Sequence, residues 1–202
     1  MFYKPNFRPE SLPHDPFKAI VSPRPIGWIS TVNKDGSANL APYSFFNAIC
    51  DKPPMVIFSK TGPKLGLKEE KDSVVNIRDT GEFAVNFVSF DLTDQMNISS
   101  QHFSHGEDEF VLAGLEKGVS EIITAPFVKA APAAFECKLY KEIELPGEDQ
   151  IAIIGEVKGI HLNDEYLKDG IFDVTLYKPL ARLGYRDYAV INELITLKRP
   201  DD

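Results

Sequence analysis

Hydroxyls and cations recur at the ends of apolar runs in this chain. Ser30 and Thr31 close IGWIST, Ser59, Lys60, Thr61 and Gly62 close PPMVIFSKTG, and Lys71, Asp72 and Ser73 precede VVNI. Such residues at strand ends and helix starts suit a phosphate, because hydroxyls and amides donate to its oxygens and a cation balances its charge. Arg24 adds a further cation inside Ser22-Pro23-Arg24-Pro25, where two prolines restrict the backbone and reduce the entropy lost on holding an anion. In NLAPYSFF, Pro42 stands in a strand-like run and is expected to interrupt pairing. The backbone of Asn39, Ala41, Pro42, Tyr43, Ser44 and Phe45 would then be free to meet the edge of a flat ring, with Phe45 and Phe46 as apolar walls. Taken singly, these are ordinary turn or core residues; their joint order is the signal. By themselves they do not separate one phosphorylated ligand from another.

Other chemistry is scarce. The sequence contains no Gly-x-Ser-x-Gly elbow, no phosphate loop ending in Gly-Lys-Ser/Thr, no Gly-rich dinucleotide fingerprint and no His-Glu-x-x-His. His102 and His105, three apart beside Glu107 and Asp108, would share a helix face and allow a metal site, but SSQHFSHGEDE reads better as a solvated polar loop. Neither a metal nor a catalytic side chain is therefore assigned. Cys50 and Cys137 are far apart and flanked by apolar residues, which predicts two buried, reduced thiols. An enzyme with this inventory needs a cofactor to carry the difficult step.

The elements that would position these residues are mostly strands. Two β-rich stretches around Asp35-Gly36 predict an antiparallel hairpin over Ile26 to Tyr43, and Pro53 to Ser59 predicts the next strand. Residues 63–80 change to helical spacing, with Asp72 or Ser73 as cap and Gly81 as stop. EFAVNFVS returns to strand, DLTDQMNISSQHF and EDEFVLAGL suit short helices, and AAFECKLYKEIEL and QIAIIGEVKGIHL predict a long hairpin around Pro146-Gly147-Glu148-Asp149. With no βαβ alternation and no repeat, the order suits a β-rich α+β chain, a barrel with inserted helices, rather than a doubly wound sheet.

The chain has 202 residues, 43% of them hydrophobic and 26% charged, enough for one packed core without staples. The expectation is a single domain over 1–202, its core at about 17–189, with a proline-rich lead and the tail after Tyr188 as arms. Thirty acids against twenty-two Lys and Arg leave a net charge of -8, which argues against a nucleic-acid partner. No apolar window approaches the ~18 residues of a membrane span. A cytoplasmic protein is expected.

SPRPIGWIST, then Asp-Gly, NLAPYSFFN, DKPPMVIFS, KDSVVNI and TGEFAVN resemble, in order and spacing, the flavin reductase-like FMN-binding family. KPLARLGYRDYA is similar to the closing motif of its flavoredoxin-like branch, and the likeness covers roughly Phe17 to Ala189. It implies a split β-barrel, a homodimer, and FMN as cofactor with NADH or NADPH as electron donor. It places the ring along Asn39 to Phe46 and the ribityl phosphate near Ser30, Thr31, Ser59, Lys60, Thr61, Lys71, Asp72 and Ser73, with Arg24 and Arg182 as further basic positions. The implied activity is NAD(P)H-dependent flavin reduction, electrons passing to a small molecule or a protein. The alternatives are a flavoredoxin-like carrier fed by a protein partner and a non-enzymatic cofactor-binding module. Lys71-Asp72-Ser73 departs from the family's commoner Lys-Asp-Thr but keeps the hydroxyl. Trp28 is either a pocket wall or core.

Overall fold

Gly36 sits at φ 89°, a left-handed conformation that glycine adopts without strain, and the Asn33 side chain accepts the Asp35 N–H at 2.6 Å. This turn joins β2 (Gly27–Val32) to β3 (Ala38–Tyr43), in register from Val32↔Ala38 to Gly27↔Tyr43, as the hairpin reading predicts. The computed structural model describes residues 1–62, 70–104 and 106–200, so the start of the predicted helical stretch, at 63–69, and His105 lie outside the described residues.

A strand that the sequence reading passed over, β4 (Phe46–Asp51), follows at once and pairs antiparallel with β5 (Pro54–Thr61). Then come α2 (Asp72–Thr80), β6 (Glu82–Asn86), α3 (Thr93–Ile98), α4 (Glu109–Leu112) and the long hairpin of β7 (Ala133–Glu144) and β8 (Gln150–Leu162). The seven strands form one antiparallel sheet in the order β3-β2-β6-β7-β8-β5-β4. Its two end strands are consecutive in the chain, joined only by Ser44 and Phe45. The sheet curls until these edges meet: Tyr43 of β3 lies 4.8 Å from Phe58 of β5, ring to ring. The result is a split β-barrel whose opening is crossed by the chain at Ser44-Phe45.

The barrel interior packs Ile29, Phe58, Phe83, Val85, Cys137 and Ile153, and α2 closes it with Val74 and Ile77. On the outer face of β2 and β3, Trp28 and Leu40 pack against Leu92, Met96 and Phe110 of the α3 and α4 region. Trp28 is core, its Nε1 donating to Ser99 Oγ at 2.8 Å. Covering on both faces explains why IGWIST lacks polar–apolar alternation. Gly155 of β8 lies under the buried Phe83 ring: an added Cβ would stand 2.3 Å from a ring carbon. Gly155→Ala is expected to destabilise the fold by about 1–3 kcal/mol through overpacking, read as a lower urea midpoint at unchanged slope.

A second, three-stranded sheet ties the ends together, with β9 (Leu180–Arg182) between β1 (Arg24–Pro25) and β10 (Tyr188–Val190). The tail therefore belongs to the fold as far as Val190, where an arm after Tyr188 was expected; its backbone bonds satisfy β9. A short lead helix, α1 (Phe17–Ile20), packs beside this sheet. Its Ala19 approaches Gly184 so closely that a Cβ there would stand 2.3 Å from the Ala19 Cβ.

Three further expectations change. Cys137 is buried but Cys50 is exposed, because β4 is an edge strand with only Phe46 buried, so apolar neighbours in sequence do not cover it. The cap of α2 is Lys71, without a side-chain bond, rather than Asp72 or Ser73; Gly81 does stop the helix, at φ 72°. Pro42 does not interrupt pairing. The Leu40 N–H points away from β2, donating to Glu109, so two residues on Pro42 occupies the same outward position, where no N–H is required. Among the described residues, no helix is long and apolar enough to cross a membrane.

Candidate functional site

The split of the barrel opens into a groove of three adjoining cavities, and Pro42 lines all three. The middle cavity, about 140 Å³, is bounded by Pro42 to Phe45, Ser59, Thr61, Lys18 and Lys71. Alternation along β5 explains the first two: Ser59 and Thr61 share one face, while Lys60 must point to the other. Neither hydroxyl has a hydrogen-bond partner among the described residues. Lys71 is half-buried over the Tyr43 ring, 5.5 Å from its centroid. Burial, and then the nearby Lys60, lower its pKa, with Asp149 opposing them. Among the described residues Lys71 makes no ion pair and no carboxylate lines this cavity. Such a cavity favours an anion.

The second cavity, about 60 Å³, runs from Asn39 and Ala41 to Ser73, Ser99–Phe103 and Glu109. Glu109 is buried and accepts from Leu40 N and Asn39 Nδ2, each at 2.9 Å, while burial pushes its pKa up. Tyr43 bonds through its hydroxyl to Ser73, and burial raises that phenol to about 12. Asp72 lies on the same wall. The third cavity, about 190 Å³, lies toward the small sheet and holds Arg24 and Arg182.

Of the residues singled out from sequence, Asn39, Ala41, Pro42, Tyr43, Ser44, Phe45, Ser59, Thr61, Lys71, Asp72 and Ser73 line the two cavities that meet at Tyr43 and Lys71. Five others do not join them. Ser30 is buried on the outer face, donating to Pro126 O at 2.6 Å, and Thr31 is buried inside, accepting from Asn76 Nδ2 at 3.0 Å. Arg24 and Arg182 stand in the third cavity, away from Ser59 and Thr61. Lys60 is sealed on the far face by Glu70 and Asp149. Lys18, Glu109 and the Ser99–Phe103 wall escaped the sequence reading. Glu109 looks like an ordinary acid in a first helical turn, and Lys18 lies in no motif.

The sequence of residues 21–182 matches the family described as the flavin reductase like domain. This chain belongs to that family. A protein of Aquifex aeolicus is 41% identical over 170 residues, covering 84% of this chain and 85% of that one. Among solved structures, nitrilotriacetate monooxygenase component B from Bacillus cereus superposes with a TM-score of 0.88 at 29% identity, covering 98% of each chain. The 2-nitrobenzoate 2-nitroreductase NbaA of Pseudomonas fluorescens gives 0.85 at 26%, covering 99% of this chain and 96% of the other. The flavin reductase like fold thus extends over nearly the whole length, including both segments that build the small sheet.

Proposed function

We propose that this chain is an FMN-binding oxidoreductase of the flavin reductase type, with NADH or NADPH as electron donor and residues 17–189 as one domain. The observation that carries this reading is the cavity in which Ser59, Thr61 and Lys71 converge beside the open edge at Pro42 to Phe45, with no carboxylate among the described residues that line it. The residues fit the group. Two hydroxyls without a partner among the described residues and a half-buried ammonium outside any ion pair there suit a phosphate, and the strand-end backbone beside it suits the polar rim of a flat ring. Ser73 holds Tyr43 upright as part of the wall, and Glu109 fixes the edge strand through Leu40. A bound flavin supplies the two-electron chemistry, which is why no side-chain acid or nucleophile is required of the chain. The protein's part is to hold the ring, exclude water from one face and leave the other open to a reactant. Both solved relatives carry names of oxidation–reduction proteins, which supports the class.

The purified protein is expected to take up FMN and show a flavin absorbance spectrum, and the bound flavin to bleach on rapid mixing with NADH or NADPH. A protein that takes up no FMN overturns the reading. Flavin that bleaches only with a reduced protein partner would make the chain an electron carrier. Exposed apolar side chains on β4 and the tail, Ile49, Ile195 and Leu197, support a homodimer, which light scattering tests.

A further inference from the structure

The third cavity collects positive charge that no ion pair among the described residues neutralises. Arg24 of β1 and Arg182 of β9 are direct register partners, so two guanidinium groups face each other across one strand pair. Like charges placed directly opposite destabilise a sheet pair, and an arrangement of this kind asks for an anion. Lys18 of α1 lines the same cavity. Among the described residues none of the three joins an ion pair, although the chain carries a net charge of -8.

Aromatic rings hold them instead. Lys18 and Arg24 both lie 5.8 Å from the centroid of Phe45, and Arg182 lies 4.5 Å from that of Tyr188. Ring faces orient cations without cancelling their charge. Arg24 is 6% exposed and spends one end on three carbonyls, those of Lys18, Val21 and Leu183, while its buried Nε–H has no acceptor among the described residues. Burial, and then Arg182, lower its pKa. Arg182 makes one hydrogen bond, Nη2 to Tyr185 O at 2.6 Å, and keeps its other donors. Tyr185 sits at φ 54°, a costly conformation for a tyrosine, and its carbonyl is fixed there by Arg182.

The geometry points to a second binding site here, for the carboxylate of a small planar organic acid held beside the flavin. Resting on the proposed flavin reading, it places the acid group at Arg182 and Lys18 and the body of the molecule against Ile26, Met96 and the Tyr185–Tyr188 rings, next to Pro42 and Ser44 of the ring-lining segment. A cavity of about 190 Å³ is smaller than the ~300–1,000 Å³ of drug-sized ligand sites, so it takes one ring with its acid rather than a dinucleotide.

Benzoate and uncharged benzamide, titrated calorimetrically into FMN-free and FMN-loaded protein, test this. Benzoate is expected to bind at least tenfold more tightly than benzamide. Arg182→Ala should weaken benzoate at least tenfold with FMN affinity held within twofold, and Lys18→Ala should weaken benzoate about fivefold. Equal affinity for benzoate and benzamide, or benzoate binding indifferent to Arg182, overturns the site. A parallel loss of FMN affinity assigns the pocket to the cofactor and overturns it as well. Arg182-dependent binding of adenosine 2′,5′-bisphosphate with none of benzoate overturns the organic-acid assignment in favour of a donor phosphate. Benzoate binding to protein that takes up no FMN would leave this site standing while the flavin reading fails.

Discussion

Replacing Ser59 and Thr61 together with alanine is expected to weaken FMN binding by on the order of a hundredfold or more. Hydrogen bonds to a charged group contribute about 1.5–3 kcal/mol each, and two such bonds to one phosphate reach that range together. The two hydroxyls project from one face of β5 into the middle cavity, and no protein group among the described residues competes for them. Because Ser59 is half-buried and Thr61 exposed, the double variant is expected to melt within about 0.5 kcal/mol of the parent, which separates a binding defect from a folding one. Flavin fluorescence titration measures the change. An unaltered Kd would move the phosphate away from β5.

The largest expected effect on stability lies outside the groove. Glu136 of β7 is 1% exposed and accepts three backbone N–H bonds, from Glu121 at 2.8 Å, Ile122 at 2.6 Å and Ile123 at 3.0 Å. It also meets His161 Nε2 at 2.5 Å, whose ring stacks on Phe127. One carboxylate thus fastens the Glu121–Ile123 segment to the barrel wall, and Glu82 does the same for Thr124 through its N–H at 2.5 Å. Glu136→Leu leaves three donors without their acceptor, the buried Ile123 N–H among them, and is expected to cost about 3–5 kcal/mol, measured as a shift of the urea midpoint at constant slope.

The same group sets an acid limit. Burial alone would raise the Glu136 pKa, but the bonds from Glu121, His161, Ile122 and Ile123 hold it below the ordinary carboxylate value. A carboxylate with a lowered folded pKa stabilises above its unfolded value, near ~4.3, and loses that contribution as pH falls through the folded one. Glu82 acts in the same direction: burial opposes, and bonds from Lys138 and Thr124 prevail. The wild-type midpoint should therefore drop between about pH 5 and pH 3 more steeply than that of Glu136→Leu. Parallel curves would show that the bonds seen here do not outlast solution averaging.

Much of the positioning was open to reading from sequence because it is local. The turn at Asp35-Gly36, the break at Gly81 and the hairpin around Pro146–Asp149 follow from which residues tolerate a left-handed backbone or end a ladder. Strand alternation places Ser59 and Thr61 together and Lys60 opposite. The hydroxyls at Ser30 and Thr31 carried the same signal and had a different fate. Their strand is covered twice, by Asn76 of α2 from inside and by the Pro126 carbonyl from outside, and neither partner is near them in sequence. Edge position likewise exposed Cys50, and an outward-facing ladder site let Pro42 stay paired.

The sequence by itself determined most strands of the barrel and its turns, the split-barrel family and the stock of phosphate-seeking residues, since period and turn chemistry are properties of neighbours in the chain. Only the tertiary structure decided which of those residues share a cavity. It also set Arg24 against Arg182 across β1 and β9 and gathered Lys18 to them, because burial and charge depend on what folds back over each face, and those segments come from opposite ends of the chain.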